Sequence, residues 1–187
     1  MKACKALIIG GSAGSLDVLL KILPGLDFDL SFPIIVVVHR KQGADFLLAD
    51  LLSSKTTLKV KEIEEKELIM PGTIYIAPSG YHLLFEKDYT FSLDCSEKVN
   101  YSRPSIDVAF HSAAEVYLNK LACLLLSGSN NDGVNGLQAV KNKGGEAVVQ
   151  DPKTAAVSYM PAQAISKVKI DKILTTAEMA KYINSLV

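Results

Sequence analysis

An apolar run, Ala6-Leu7-Ile8-Ile9, breaks into Gly10-Gly11-Ser12-Ala13-Gly14. Apolar residues then return at helical spacing through Leu16, Val18, Leu19, Leu20, Ile22 and Leu23, up to Pro24-Gly25. The pattern specifies a strand, a glycine turn and a helix. A second apolar run, Pro33 to Val38, ends at His39 and leads to a helix-like segment from Ala44 to Leu52. Neither run alternates apolar with polar residues, as expected of strands covered on both faces. The βαβα order predicts an α/β fold, a doubly wound and mostly parallel sheet in three α/β/α layers.

The middle of the chain has a different period. Met70-Pro71-Gly72 punctuates it before the strand-like Thr73 to Pro78, and Tyr81 to Glu86 is set to pair with Thr90 to Asp94 across Lys87-Asp88 as an antiparallel hairpin. A helix is predicted over Ile106 to Leu118, capped by Ser105. The α/β pattern resumes with a buried strand at Leu121 to Leu126, a polar loop over Ser127 to Asp132, and a helix from Gly133 to Lys143 closed by Gly144-Gly145. Short strands at Ala147 to Val149 and Lys172 to Leu174, and helices at Pro161 to Ser166 and Ala177 to Leu186, complete the reading. With no repeat, linker or low-complexity tract, residues 1–187 read as one domain.

Composition narrows the function. Twenty basic residues balance twenty acidic ones, and the lysines are interleaved with acids from Lys59 to Glu67, which argues against a nucleic-acid surface. The longest apolar runs fall far short of the ~20 residues needed to cross a bilayer, so no membrane insertion is expected. The N-terminal apolar stretch is too short for a signal peptide, and a cytoplasmic location is expected. Cys4, Cys95 and Cys123 lie far apart without a CxxC pair. Cys123 reads as a small core residue, and no metal or cofactor is expected.

Gly10-Gly11-Ser12-Ala13-Gly14 matches G-x-S-x-G, a tight turn that exposes a serine hydroxyl between strand and helix. The helix N-terminus aims free N–H groups at a nearby anion, so the same turn could cradle a phosphate, although neither a G-x-G-x-x-G register nor a following lysine is present. His39 and Asp132 stand at the carboxyl ends of two other predicted parallel strands, and in an open α/β sheet those ends line one crevice. A weak serine nucleophile needs an imidazole to take its proton and a carboxylate to orient that imidazole. Ser12 as nucleophile, His39 as base and Asp132 as acid meet this requirement. Asp107 is the second candidate for the acid. The order Ser, His, Asp differs from that of the α/β-hydrolases, and Ser12 on the first strand has no upstream loop to donate to an oxyanion. The donors expected instead are the N–H groups near Ala13 and Gly14, with the loop after the Leu121 strand.

These residues, taken with further ordered motifs, resemble the catalytic domain of the chemotaxis protein-glutamate methylesterase family, CheB-type. The likeness runs from about Ala6 to Ile165. Besides the glycine turn and Val38-His39 it includes Pro71 to Pro78, Tyr81-His82-Leu83, Ser102-Arg103-Pro104-Ser105-Ile106-Asp107, Asp132-Gly133 with Gly136, Gln150-Asp151-Pro152 and Met160-Pro161. The resemblance implies serine-dependent hydrolysis of glutamate methyl esters on the cytoplasmic helices of chemoreceptors, in chemotaxis adaptation, often with glutamine deamidation, and Ser12, His39 and Asp132 as the triad. Where the family often has Ser-Thr-Gly-Gly, this chain has Ser12-Ala13-Gly14-Ser15. Where it commonly has Gly-Met-Gly before the acid, this chain has Gly128-Ser129-Asn130, whose Ser129 N–H is the expected donor there. The catalytic strand begins within ten residues of Met1, so no receiver domain is expected ahead of it.

The two arginines, Arg40 and Arg103, flank these motifs. One or both are candidates for meeting acidic groups of the receptor; Arg40 reads equally as a salt bridge, and Arg103, before Pro104 and a helix start, at least equally as a structural brace. His82 and His111 read as noncatalytic, and Asp107, His111 and Glu115 as a solvated or paired helix face rather than a metal site. The alternatives to the esterase are a noncatalytic receptor-binding module and a phosphate- or nucleotide-binding one.

Overall fold

The computed structural model describes residues 4–40 and 45–186. In chain order these form β1 (Ala6–Gly11), α1 (Ser15–Ile22), β2 (Ile34–Val38), α2 (Asp45–Ser53), β3 (Lys59–Glu62), β4 (Thr73–Ile76), β5 (His82–Phe85) and β6 (Phe91–Asp94). There follow α3 (Ile106–Tyr117), β7 (Leu121–Leu125), α4 (Val134–Asn142), β8 (Glu146–Gln150), α5 (Tyr159–Lys167), β9 (Lys172–Leu174) and α6 (Thr176–Asn184). Ala44, where the second helix was expected to begin, lies outside the described residues.

Seven strands make one sheet in the order β3-β4-β2-β1-β7-β8-β9, and every pairing in it is parallel. The predicted hairpin forms with His82 opposite Asp94, but as a separate two-stranded sheet. One strand was not foreseen. β3 pairs with β4 as a sheet edge, with exposed Lys59 at its start, and its charged sequence hides it from any hydrophobic pattern.

The central strands bury both faces, so their period of two is visible only in what each side chain touches. Ile8, Ile35, Val37, Cys123, Leu125 and Val149 join the core on the side of α3, α4 and α5. Leu7, Ile9, Ile34, Val36, Leu124 and Val148 join the other core, with Val18, Leu19 and Ile22 of α1 and Met179 and Ile183 of α6. This is the expected three-layer arrangement. The hairpin packs on the first core through edge-to-face aromatic pairs, Phe91 with Tyr75 of β4 at 5.1 Å and Phe85 with Tyr117 of α3 at 6.0 Å between ring centres.

Two features of this frame position the site. Strand order reverses at β1, which lies between β2 and β7, so the crevice outside the carboxyl ends of these three strands is the switch point where ligands bind in such sheets. A Cβ on Gly10 would collide with Ile106, so glycine there lets the N-terminus of α3 come down onto the end of β1.

Candidate active site

Ser12 leaves β1 with its N–H bonded to the Ser127 carbonyl at 2.9 Å. Its own carbonyl receives the Ser15 N–H at 3.0 Å and the Ser15 hydroxyl at 2.7 Å, closing the turn. Gly14 takes φ 81° at the N-cap of α1, a left-handed conformation that glycine adopts without strain. The N–H groups of Ala13, Gly14 and Ser129 donate no hydrogen bond among the described residues, whereas that of Ser12 is already used.

His39 follows β2, its N–H continuing the ladder to the Gly11 carbonyl at 3.2 Å. Its Nε2 lies 2.8 Å from Oδ2 of Asp132. The Asp132 carboxyl is fully buried and receives four further bonds: the Ser105 hydroxyl at 2.8 Å, the Asn100 amide at 2.8 Å, and the Ile106 and Asp107 N–H groups at 2.7 and 3.1 Å. The last two belong to the first turn of α3, where the helix favours a negative charge. Burial is the largest influence on Asp132 and pushes its pKa up. The hydrogen bonds of His39, Asn100, Ile106 and Asp107 outweigh it and hold the carboxyl below its ordinary value. Asp132 is therefore an ionised acceptor, Nε2 of His39 carries the proton between them, and Nδ1 is the nitrogen free to take another. The Ser102 hydroxyl is 3.4 Å from Nδ1.

Ser12 and His39 line one cavity of about 260 Å³. No hydrogen bond joins the Ser12 and His39 side chains. The three predicted residues thus lie at one edge of the sheet, with His39 and Asp132 in contact.

Asp107, the second candidate for the acid, makes no hydrogen bond to the imidazole. It accepts the Gly136 N–H at 2.7 Å and the second amide proton of Asn100 at 2.9 Å. Burial, with a smaller contribution from the neighbouring Asp132 charge, raises its pKa, so environment drives the two carboxyls apart. Arg40 lines the cavity and also braces the sheet: its Nη2 donates to Glu62 at 2.9 Å and to the Ala77 carbonyl at 2.8 Å, and the side chain is 10% exposed. Arg103 donates to the Cys95 and Ser96 carbonyls. His82 is buried between the Ser105 N–H, which donates to its Nδ1, and the Glu97 carbonyl, which faces its Nε2.

Several functional partners escaped sequence reasoning. Asn100 and Ser105 reach Asp132 through tertiary docking that leaves no local trace beyond the Ser105 cap. Ser127 gives its hydroxyl to the Ala13 carbonyl at 2.6 Å while its N–H bonds buried Gln150 at 2.9 Å, tying the nucleophile turn to the end of β8. Met160 fills the space over Gly128 and donates its N–H to that carbonyl at 3.0 Å, fixing the loop before Asp132. The Gln150 and Met160 motifs thus support the turn after β1 and the loop before Asp132.

A doubly wound parallel sheet with a serine turn, a histidine and a buried aspartate at its switch point defines an α/β hydrolase-type site outside the usual α/β-hydrolase order. The chain belongs to the CheB methylesterase family, whose model matches residues 7–183. It is 45% identical over 177 residues to the putative protein-glutamate methylesterase/protein-glutamine glutaminase of Leptospira interrogans, covering 95% of this chain and 92% of that one. It is 36% identical to the protein-glutamate methylesterase/protein-glutamine glutaminase of Thermotoga maritima, covering 98% of this chain and 54% of that one. The crystal structure of the Thermotoga maritima CheB methylesterase catalytic domain superposes with a TM-score of 0.95 at 35% identity, over 99% of this chain and all of that one. The family membership sets aside the phosphate-binding and noncatalytic alternatives. No helix among the described residues is long and apolar enough to cross a membrane.

Proposed function

We propose that this chain acts as one catalytic unit, a serine carboxylic ester hydrolase that removes methyl groups from glutamyl esters on the cytoplasmic helices of chemoreceptors. It would thus act in the cytoplasm. The observation that carries the reading is the 2.8 Å contact of His39 with buried Asp132 beside a cavity that also holds Ser12. The Ser12 hydroxyl attacks the ester carbonyl as Nδ1 of His39 takes its proton, and Asp132 stabilises the imidazolium that forms. The oxyanion is met by the N–H groups of Ala13, Gly14 and Ser129. Collapse of the tetrahedral species expels methanol, which leaves with the proton from Nδ1. Water then attacks the acyl-enzyme by the same route and releases glutamate. With a glutamine side chain the leaving group is ammonia, the glutaminase reaction that the relatives' names include.

Methanol release from methylated receptor fragments tests this. The wild-type protein is expected to release it, Ser12→Ala to release none above background, and His39→Ala and Asp132→Ala to be strongly impaired. A folded wild-type protein that releases no methanol across several receptors would overturn the reading.

A further inference from the structure

His39 stands between two cavities of opposite character. On one side, the cavity of about 260 Å³ that holds Ser12 is walled by Leu16, Leu19, Leu47, Leu48 and Leu51. Leu47 is 75% exposed and Leu16 and Leu51 each 39%, so this is an apolar wall left open to solvent beside the proposed nucleophile. A methyl group is about the size of a water molecule, roughly 30 Å³, and cannot fill it.

On the other side, a cavity of about 670 Å³ is lined by Arg40, Lys98, Arg103, Tyr101 and Ser102, with no carboxylate among its lining residues. Arg40 is matched by Glu62. Arg103 gives hydrogen bonds to two uncharged carbonyls and lies near enough to Asp94 to help hold that carboxyl low, and Lys98 makes no ion pair among the described residues. At its rim Tyr101 is 97% exposed. Asn100 and Tyr101 both take left-handed backbone, φ 52° and 62°, and the Asn100 amide is anchored on Asp107 and Asp132. That anchored turn presents an aromatic ring to solvent next to Lys98, a pairing suited to gripping a partner.

We propose that the two flanks of His39 read the protein segment around the ester: an aliphatic side chain of the substrate seats in the leucine pocket, and a free carboxylate of the same segment seats against Lys98 and Arg103. The proposal rests on the esterase reading above. It makes the preferred substrate a glutamyl ester whose surroundings are aliphatic on one side and acidic on the other.

Three ten-residue peptides, each with one glutamyl γ-methyl ester, test it. The first carries leucine and glutamates around the ester, the second replaces those glutamates by lysines, and the third replaces the leucine by glycine. Wild-type kcat/KM for methanol release is expected to fall about tenfold from the first peptide to each of the others. Lys98→Glu should invert the order of the first two, and Leu47→Ser should bring the first peptide down to the level of the third. Binding of the same peptides to Ser12→Ala, followed by fluorescence anisotropy, is expected to rank them in the same order. Equal turnover and equal binding of all three, or a Lys98→Glu variant that keeps the wild-type order, would overturn the proposal while leaving the esterase standing. Ranked binding without methanol release would instead sink the esterase reading and leave the two flanks intact.

Discussion

Ser105 gives its hydroxyl proton to Asp132 across 2.8 Å while its oxygen caps α3 by accepting the Val108 N–H at 3.5 Å. One hydroxyl thus joins the start of a helix to the proposed catalytic acid. Ser105→Ala should cost about 1–3 kcal/mol, from the lost cap and a charged acceptor deprived of one donor. Urea denaturation reads the loss, and Ser105→Thr should recover most of it. An alanine variant as stable as the wild type would show that the bond to Asp132 contributes nothing.

Asp132→Asn tests how fully the site depends on a charged acceptor. An asparagine has one oxygen, and its amide protons would face groups that are themselves donors. Methanol release should fall by on the order of 10³-fold or more, because the imidazole loses its preferred tautomer. Stability should fall by about 3 kcal/mol as donors are left unmatched. Rate and denaturation midpoint are to be measured on the same preparation, and a variant impaired in neither would remove Asp132 from the mechanism.

Acid acts on the two buried carboxyls in opposite directions. Asp132, held low in the fold, contributes stability above the unfolded carboxyl value of ~3.9, and that contribution is lost as pH falls through its lower folded value. Asp107, held high, favours the fold below ~3.9, and its contribution is lost as pH rises through its raised folded value. Asp107→Asn removes the opposing member, so stability should decline more steeply on acidification below about pH 5. Denaturant melts at several pH values give the slope, and a shallower decline in the variant would contradict the assignment.

Gly14→Ala should damage both fold and chemistry. A left-handed alanine costs about 1–2 kcal/mol, and its Cβ would stand 2.6 Å from the Cβ of Ala156 and 2.9 Å from the Ser127 hydroxyl. The turn must shift, carrying the N–H groups of residues 13 and 14 away from the Ser12 hydroxyl. The expected result is a lowered denaturation midpoint together with loss of methanol release. Full activity would mean that the turn donates nothing to the oxyanion.

Arg40→Gln should cost about 1–2 kcal/mol, since the Ala77 carbonyl and Glu62 each lose a charged donor. The midpoint is to be followed alongside methanol release at low and high salt. Unchanged stability would show that the brace is idle, and unchanged salt dependence that Arg40 meets no acidic group of the substrate.

Much of this was legible in the chain because parallel strands and glycine turns leave local signatures. The apolar runs ending at Ser12 and His39 marked two of the strands that meet at the crevice, and the hairpin followed from its turn at Lys87-Asp88. What escaped depends on distant packing. β3 is a charged edge whose partner is the backbone of β4, so Lys59 to Glu62 has no apolar pattern to reveal it. Asn100 looks like an ordinary turn residue, and only the approach of α3 to the loop after β7 shows its amide bridging two carboxyls. The brace made by Arg40 likewise needs β3 in place before Glu62 can meet it.

The central strand has a consequence for how the chain comes into being. β1 pairs with β2 on one side, but its other edge waits for β7, in a register that sets Ala6 against Leu121. A ribosome delivers residues in order, so a nascent chain ending short of Leu121 holds Ser12 and His39 on neighbouring strands beside an unpaired apolar edge, exposed to mispairing. Such a fragment lacks Asp132 altogether. On the proposed mechanism the catalytic acid is therefore among the last groups the growing polypeptide acquires, after the apolar edge of β1 has already been exposed.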